Sequence, residues 1–130
     1  MDKSNFFIKK NDIIELDIFG QVFKFKRITS DDELNWADEY METKKIKKDG
    51  REVIVKKENM KKLVKCKLRN IVEVPFSMKE IEELTGKQYN KEFKEFTDSE
   101  KDELFGQLNP VIMNELISKI DGTKINQKKS

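Results

Sequence analysis

Along this chain the spacing of the apolar residues changes once, from every second residue to every third and fourth, and that change limits the folds open to it. Between Ile13 and Ile28, the residues Ile14, Leu16 and Ile18 alternate with Glu15 and Asp17; after Phe19-Gly20-Gln21 the run Val22-Phe-Lys-Phe-Lys-Arg-Ile alternates again. A period of two gives a strand one wet face and one buried face. A β-hairpin is therefore expected, with Ile14, Leu16, Ile18, Phe23 and Phe25 inside. From Asn59 the spacing is helical: Met60, Leu63, Val64, Leu68, Ile71 and Val72 make the longest amphipathic stripe, and Pro75 ends it. Strands first and helices after predict an α+β domain, with one or more N-terminal antiparallel β-hairpins followed by a helical C-terminal half of about four to five helices.

Helix starts are signalled three times. Ser30-Asp-Asp-Glu33, Ser77-Met-Lys-Glu80 and Thr97-Asp-Ser-Glu100 each fit a capping box, in which a hydroxyl and a carboxyl three residues apart satisfy each other's backbone N–H groups. The first box opens a helix carrying Leu34, Ala37 and Met41, with Trp36 and Tyr40 beside them, ending near Lys44. The second opens a short helix with Ile81 and Leu84, closed by Gly86. The third precedes Leu104, Phe105 and Leu108. Asn109-Pro110 restarts a helix, with Val111, Ile112, Leu116, Ile117 and Ile120 as its buried stripe and Asp121-Gly122 as its stop. Between the first two boxes, Asp49-Gly50 is a turn signal and Val53-Ile54-Val55 a β-branched run. Residues 44–57 read as a basic hairpin or a mobile loop. The expected layout is a flexible N-terminus over 1–10, one domain over 11–122 and a disordered tail over 123–130.

Composition removes whole classes of chemistry. The 130 residues contain no histidine and one cysteine, Cys66. A histidine base, a Ser-His-Asp or Cys-His pair and every ordinary zinc site lose their central residue. A disulfide framework within the chain is impossible, which fits a reducing compartment. The five glycines stand singly, whereas a phosphate-binding loop needs them clustered. Asp31, Asp32 and Glu33 could converge on a hard cation, yet acidic residues in a first turn are what the helix dipole favours anyway; Glu82-Glu83 reads the same way. Cys66, flanked by Lys65 and Lys67, has no partner base and reads as a partly buried structural residue. No cofactor and no metal are expected, and the chain reads as non-enzymatic. Its longest early apolar run, Phe6 to Ile8, falls short of the roughly 7–15 residues of a secretory signal, so a cytoplasmic location is expected.

Charge is laid out in blocks. The 27 basic and 25 acidic residues leave a net +2, but residues 44–69 carry twelve basic against three acidic, residues 11–42 three against nine, and residues 73–105 five against ten. Such a strip could bind phosphates or an acidic protein segment equally well. Against nucleic acid stand the near-neutral total, the dominance of lysine over arginine, and the lack of interleaved aromatics.

The order of elements resembles one family. The hairpin Ile13-Ile-Glu-Leu-Asp-Ile-Phe-Gly-Gln-Val-Phe-Lys-Phe-Lys-Arg-Ile and Thr29-Ser-Asp-Asp-Glu-Leu are followed by a basic midsection and an amphipathic helix. Then come Phe76-Ser-Met-Lys-Glu-Ile-Glu-Glu-Leu-Thr-Gly, an aromatic spacer, and Phe96-Thr-Asp-Ser-Glu-Lys-Asp-Glu-Leu-Phe-Gly-Gln-Leu-Asn-Pro-Val-Ile-Met-Asn-Glu-Leu-Ile. Over residues 11–121 this is similar to the tail assembly chaperones of long-tailed bacteriophages and prophages. The resemblance implies a small non-enzymatic protein of the host cytoplasm that binds the tape measure protein, and tail tube subunits, while the tail is built. An apolar groove among the C-terminal helices would then engage amphipathic partner helices, with Phe93, Phe96, Phe105 and Ile112 as contacts and Lys61, Lys62 and Lys65 as a charged rim. The alternative is a small nucleic-acid-binding or regulatory protein using residues 44–69.

Overall fold

A computed structural model of the chain describes residues 2–3, 6–9 and 12–126, with side chains as far as residue 123. Strands β1 (Ile13–Ile18) and β2 (Gln21–Lys26) form the expected hairpin, pairing Leu16 with Phe23 and Ile14 with Phe25 on the inner face. Leu16, Ile18, Phe23 and Phe25 are buried and Ile14 is half-buried. Its turn is tight: Phe19 and Gly20 both have positive φ, and the Asp17 carboxylate accepts from the Gly20 N–H at 2.8 Å.

Helix α1 (Ser30–Tyr40) is capped one residue earlier than expected. Thr29, not Ser30, is the cap: its hydroxyl accepts from the Asp32 N–H, and the Asp32 carboxylate accepts from the Thr29 N–H. The same box closes with Asp in place of Glu. Helix α1 also ends earlier, because Met41 already belongs to strand β3 (Met41–Lys48), which pairs along its whole length with β4 (Arg51–Glu58). Of the two readings of residues 44–57, the hairpin is the one formed. Asp49 (φ 54°) and Gly50 (φ 75°) supply the two left-handed residues that a two-residue hairpin turn needs. The buried face of α1 differs from expectation as well. Trp36 faces the core while Leu34 is 69% exposed, since turning the larger indole inward removes more apolar surface from water.

The long amphipathic stripe is split. Helix α2 spans only Met60–Leu68, and Ile71 and Val72 lie in strand β5 (Ile71–Glu73), antiparallel to β2. The sheet order is β1-β2-β5. Arg69 and Asn70 make the switch: the Lys26 N–H donates to the Asn70 carbonyl at 2.8 Å, and the Asn70 amide returns a bond to the Lys26 carbonyl at 3.1 Å. A two-stranded sheet leaves the outer edge of β2 unpaired, and the β-branched Ile71-Val72 pair suits a strand better than a helix end.

Helix α3 (Met78–Thr85) has the expected Ser77–Glu80 box and a left-handed Gly86 at its end. A single 3-10 turn (Phe93–Glu95) leads to α4 (Asp98–Phe105), capped by Thr97 and Glu100. Helix α5 (Pro110–Asn126) begins with the Asn109 side chain accepting from the Val111 N–H. It does not stop at Gly122. A glycine inside a helix costs about 1 kcal/mol, and here the helix carries on to place Thr123 in the interior, its hydroxyl donating to the Ile120 carbonyl at 2.7 Å. Of the stripe expected on α5, Leu116 and Ile120 are fully buried, whereas Val111 is 62% exposed. The helix thus covers residues 123–126 of the expected tail, and 127–130 lie outside the described residues, as do parts of 1–10.

A single apolar core joins the inner face of the sheet to Cys66 and Leu68 of α2, Leu104 and Phe105 of α4, and Leu116 and Ile120 of α5. Helix α5 lies against β1, and α2 against α1, α4 and α5. The β3–β4 hairpin takes no part in this core.

Candidate functional site

Helices α2, α4 and α5 leave an apolar groove of about 330 Å³ between them. On α2, Met60, Val64 and Leu68 recur every fourth residue and so share one face; Phe105 and Gly106 of the α4 end and Met113 of α5 complete the lining. Met60 at the mouth is 60% exposed, and Phe105 at the floor is 2% exposed. Lys61, Lys65 and Asp102 are the charged groups on the lining. Gly106 closes the last turn of α4, where a Cβ would lie 3.1 Å from the Asp102 carbonyl oxygen.

Of the residues expected to contact a partner, the groove brings together Phe105, Lys61 and Lys65. Phe93 and Phe96 are elsewhere and buried, 7% exposed each. Phe96 packs on Tyr89 and on Phe93, and Phe93 meets Phe105 edge-on, with ring centroids 4.7, 5.1 and 6.0 Å apart, so both rings belong to the core and leave little surface for a partner. Ile112 is half-buried against that core and is not part of the groove wall. Lys62 turns away to pair with Glu42 at 3.3 Å. Met60, Val64, Leu68, Gly106 and Met113 were not expected as contacts. The signal was present in the i, i+4, i+8 stripe of α2, which is longer than its neighbours cover.

Behind the groove lies a charged network. Arg69 donates from Nη1 to both Glu39 oxygens at 2.9 Å, and from Nε and Nη2 to Asp102 at 3.1 and 2.8 Å. These bonds to Asp102 and Glu39 raise the Arg69 pKa still further above its ordinary value. The Lys101 ammonium donates to the carbonyls of Arg69 and Ile71, both at 2.9 Å, and its burial lowers its pKa. Cys66 is fully buried against this network, its thiol donating to Glu39 at 3.9 Å. Burial pushes the thiol pKa up, the reverse of what a nucleophilic cysteine needs.

The basic strip 44–69 is not one surface. Lys67 pairs with Asp121 at 2.9 Å and Arg69 with Glu39 and Asp102, so the α2 end of the strip is spent on internal bonds. The cations over 44–57 stand on the β3–β4 hairpin instead. Asp32 is held by Thr29 and Asn70. Among the described residues no group of three or more His, Cys, Asp or Glu side chains is placed to hold a metal ion, and no helix is long and apolar enough to cross a membrane.

No family model, curated protein or solved structure matches the chain.

Proposed function

We propose that this chain is a non-enzymatic binding protein of the phage tail-assembly-chaperone kind, which holds the helices of a tape measure protein in solution until the tail is built. The observation that carries the reading is the groove between α2, α4 and α5. It is lined almost wholly by aliphatic, methionine and aromatic carbon, and lysines stand at its edge. A methionine-bearing groove adapts its shape to different apolar side chains, and an amphipathic helix enters such a groove with its i, i+3, i+4 and i+7 residues. The order of elements along residues 11–121 supplies the family part of the reading.

The test is co-expression with the tape measure protein that this reading predicts to be encoded beside the chain. That protein is expected to be insoluble alone and soluble with the chain. Met60→Asp and Val64→Asp should abolish the rescue while leaving the chain folded, since both side chains are at least partly exposed. Rescue unaffected by both substitutions, or the chain found as a stoichiometric part of finished particles, would overturn the proposal.

A further inference from the structure

The β3–β4 hairpin stands apart from the core. Residues 44–58 are exposed throughout, and a ribbon of eight-residue strands reaches about 27 Å. Its root is fastened to α2, where Glu42 accepts from the Asn59 amide at 2.8 Å and pairs with Lys62. A two-stranded ribbon is marginal in water unless a helix or a further strand covers it.

The two faces of the ribbon differ. Cross-strand partners share a face, so one face carries, from the tip downward, Lys48 beside Arg51, Ile46 beside Val53, Lys44 beside Val55, and Glu42 beside Lys57. Ile46, Val53 and Val55 form a contiguous aliphatic centre, 44%, 37% and 37% exposed. Among the described residues, none of Lys44, Lys48, Arg51 and Lys57 forms an ion pair; the one acid of this face, Glu42, is taken by Lys62. The opposite face mixes Lys45, Lys47 and Lys56 with Glu52 and Glu58, has a Lys45–Glu52 pair at 4.0 Å, and offers Ile54 as its one large aliphatic side chain.

We infer that the Ile46–Val53–Val55 face is a docking surface for an acidic amphipathic helix of a protein partner, separate from the α2–α4–α5 groove. The apolar stripe of that helix packs on the three aliphatic side chains, and Asp and Glu on its flanks meet Lys44, Lys48, Arg51 and Lys57. One helix, about 10–12 Å across, covers a ribbon whose strands are about 4.8 Å apart. The aliphatic centre distinguishes this occupant from nucleic acid. Phosphates would use the four cations but leave the central row of the ribbon with no partner it favours.

The experiment is an NMR titration of the labelled full chain with a synthetic helical peptide of about twenty residues, leucine on one face and glutamate on both flanks. A second peptide carries lysine in place of glutamate. The glutamate peptide should move the amide signals of residues 44–57 saturably and bind roughly tenfold or more tightly than the lysine peptide, and rising salt should weaken it. Lys44→Glu with Lys48→Glu, and separately Ile46→Thr with Val53→Thr, should each weaken it roughly tenfold. The threonine pair keeps the β-branched shape and hence the ribbon. Four results would overturn the inference: no saturable shift; shifts confined to residues 60–68 and 102–113, which leave the groove reading intact; tighter binding of random duplex DNA, indifferent to the threonine pair; or self-association of the free chain that the charge reversal abolishes. Loss of tape-measure rescue in the groove variants without loss of this shift separates the two surfaces.

Discussion

Arg69 at the end of α2 and Asp102 within α4 meet fork to fork, with Nε and Nη2 donating to the two carboxylate oxygens at 3.1 and 2.8 Å. The free side of the same guanidinium reaches Glu39 on α1. One side chain therefore ties together three helices, and its own backbone carbonyl receives Lys101. Helix α2 ends here, and the chain turns into β5.

Arg69→Lys should cost about 2 kcal/mol, because an ammonium cannot make the paired bonds to Asp102 while reaching Glu39. Both side chains are largely buried, 13% and 20% exposed, so solvent screens the pair weakly. Arg69→Met should cost more, by leaving the Asp102 carboxylate unpaired, and Asp102→Leu added to it should restore part of the loss. Urea denaturation of the parent, Arg69→Met, Asp102→Leu and the double variant reads the coupling; strictly additive costs would remove the bridge from the account.

The Glu100 carboxyl is held down to about 2, first by the Lys91 ammonium and then by the Thr97 N–H. A folded value below the unfolded value of about 4.3 means stability that is complete above that pH and is lost as pH falls towards 2. Glu100→Gln should thus be less stable than the parent by a constant amount above about pH 5, and the gap should close on acidification. A gap that stays constant down to pH of about 2 would contradict this assignment.

Phe19 sits at φ 50° with its ring 66% exposed. A bulky residue in the left-handed region is strained by about 1 kcal/mol, and Asn-Gly is the preferred pair for this turn. Phe19→Asn should raise the denaturation midpoint by a corresponding amount. A fall would show that the Phe19 ring makes contacts worth more than the strain.

Gly50→Ala, at φ 75° with open space around the new methyl group, should loosen the ribbon alone. The expected cost is about 1 kcal/mol. Hydrogen exchange should accelerate over residues 41–58 and remain unchanged in β1, β2 and α5. Acceleration spreading to the core strands would mean that the ribbon and the body unfold together.

Cys66 should resist thiol reagents in the native protein and react only when the chain unfolds, because its sulfur is inaccessible and burial keeps it protonated. Labelling rates followed through a urea series should track the unfolded fraction; rapid labelling in the absence of urea would show that α2 opens locally.

Local signals carried much of the architecture. The alternation across Ile14–Phe25 placed the inner face of the first hairpin, and the Ser77 and Thr97 boxes placed two helix starts to the residue, because both depend on neighbours within four positions. Asp49-Gly50 marked its turn for the same reason. The capping box at Thr29 was misplaced by one residue, since Thr29-Ser-Asp-Asp32 and Ser30-Asp-Asp-Glu33 overlap and only the entry direction of the chain chooses between them.

What needed the folded chain was every decision between partners distant in sequence. Ile71 and Val72 continue the helical stripe of α2 by spacing, yet they pair with β2, because an open strand edge competes for them and local periodicity does not record that edge. Phe93 and Phe96, as an aromatic patch, are more often core than binding surface by sequence alone, but it takes the packing of Phe96 on Tyr89 and of Phe93 on Phe105 to place them inside. The basic strip is continuous in sequence, but the fold consumes Lys67 and Arg69 internally and leaves the ribbon's cations to solvent. Sequence determined the α+β class, the first hairpin and the exclusion of histidine chemistry, because composition and near-neighbour geometry suffice for these. Tertiary structure decided where the groove lies and which ribbon face is both apolar and basic, because a surface consists of whatever the core has not taken.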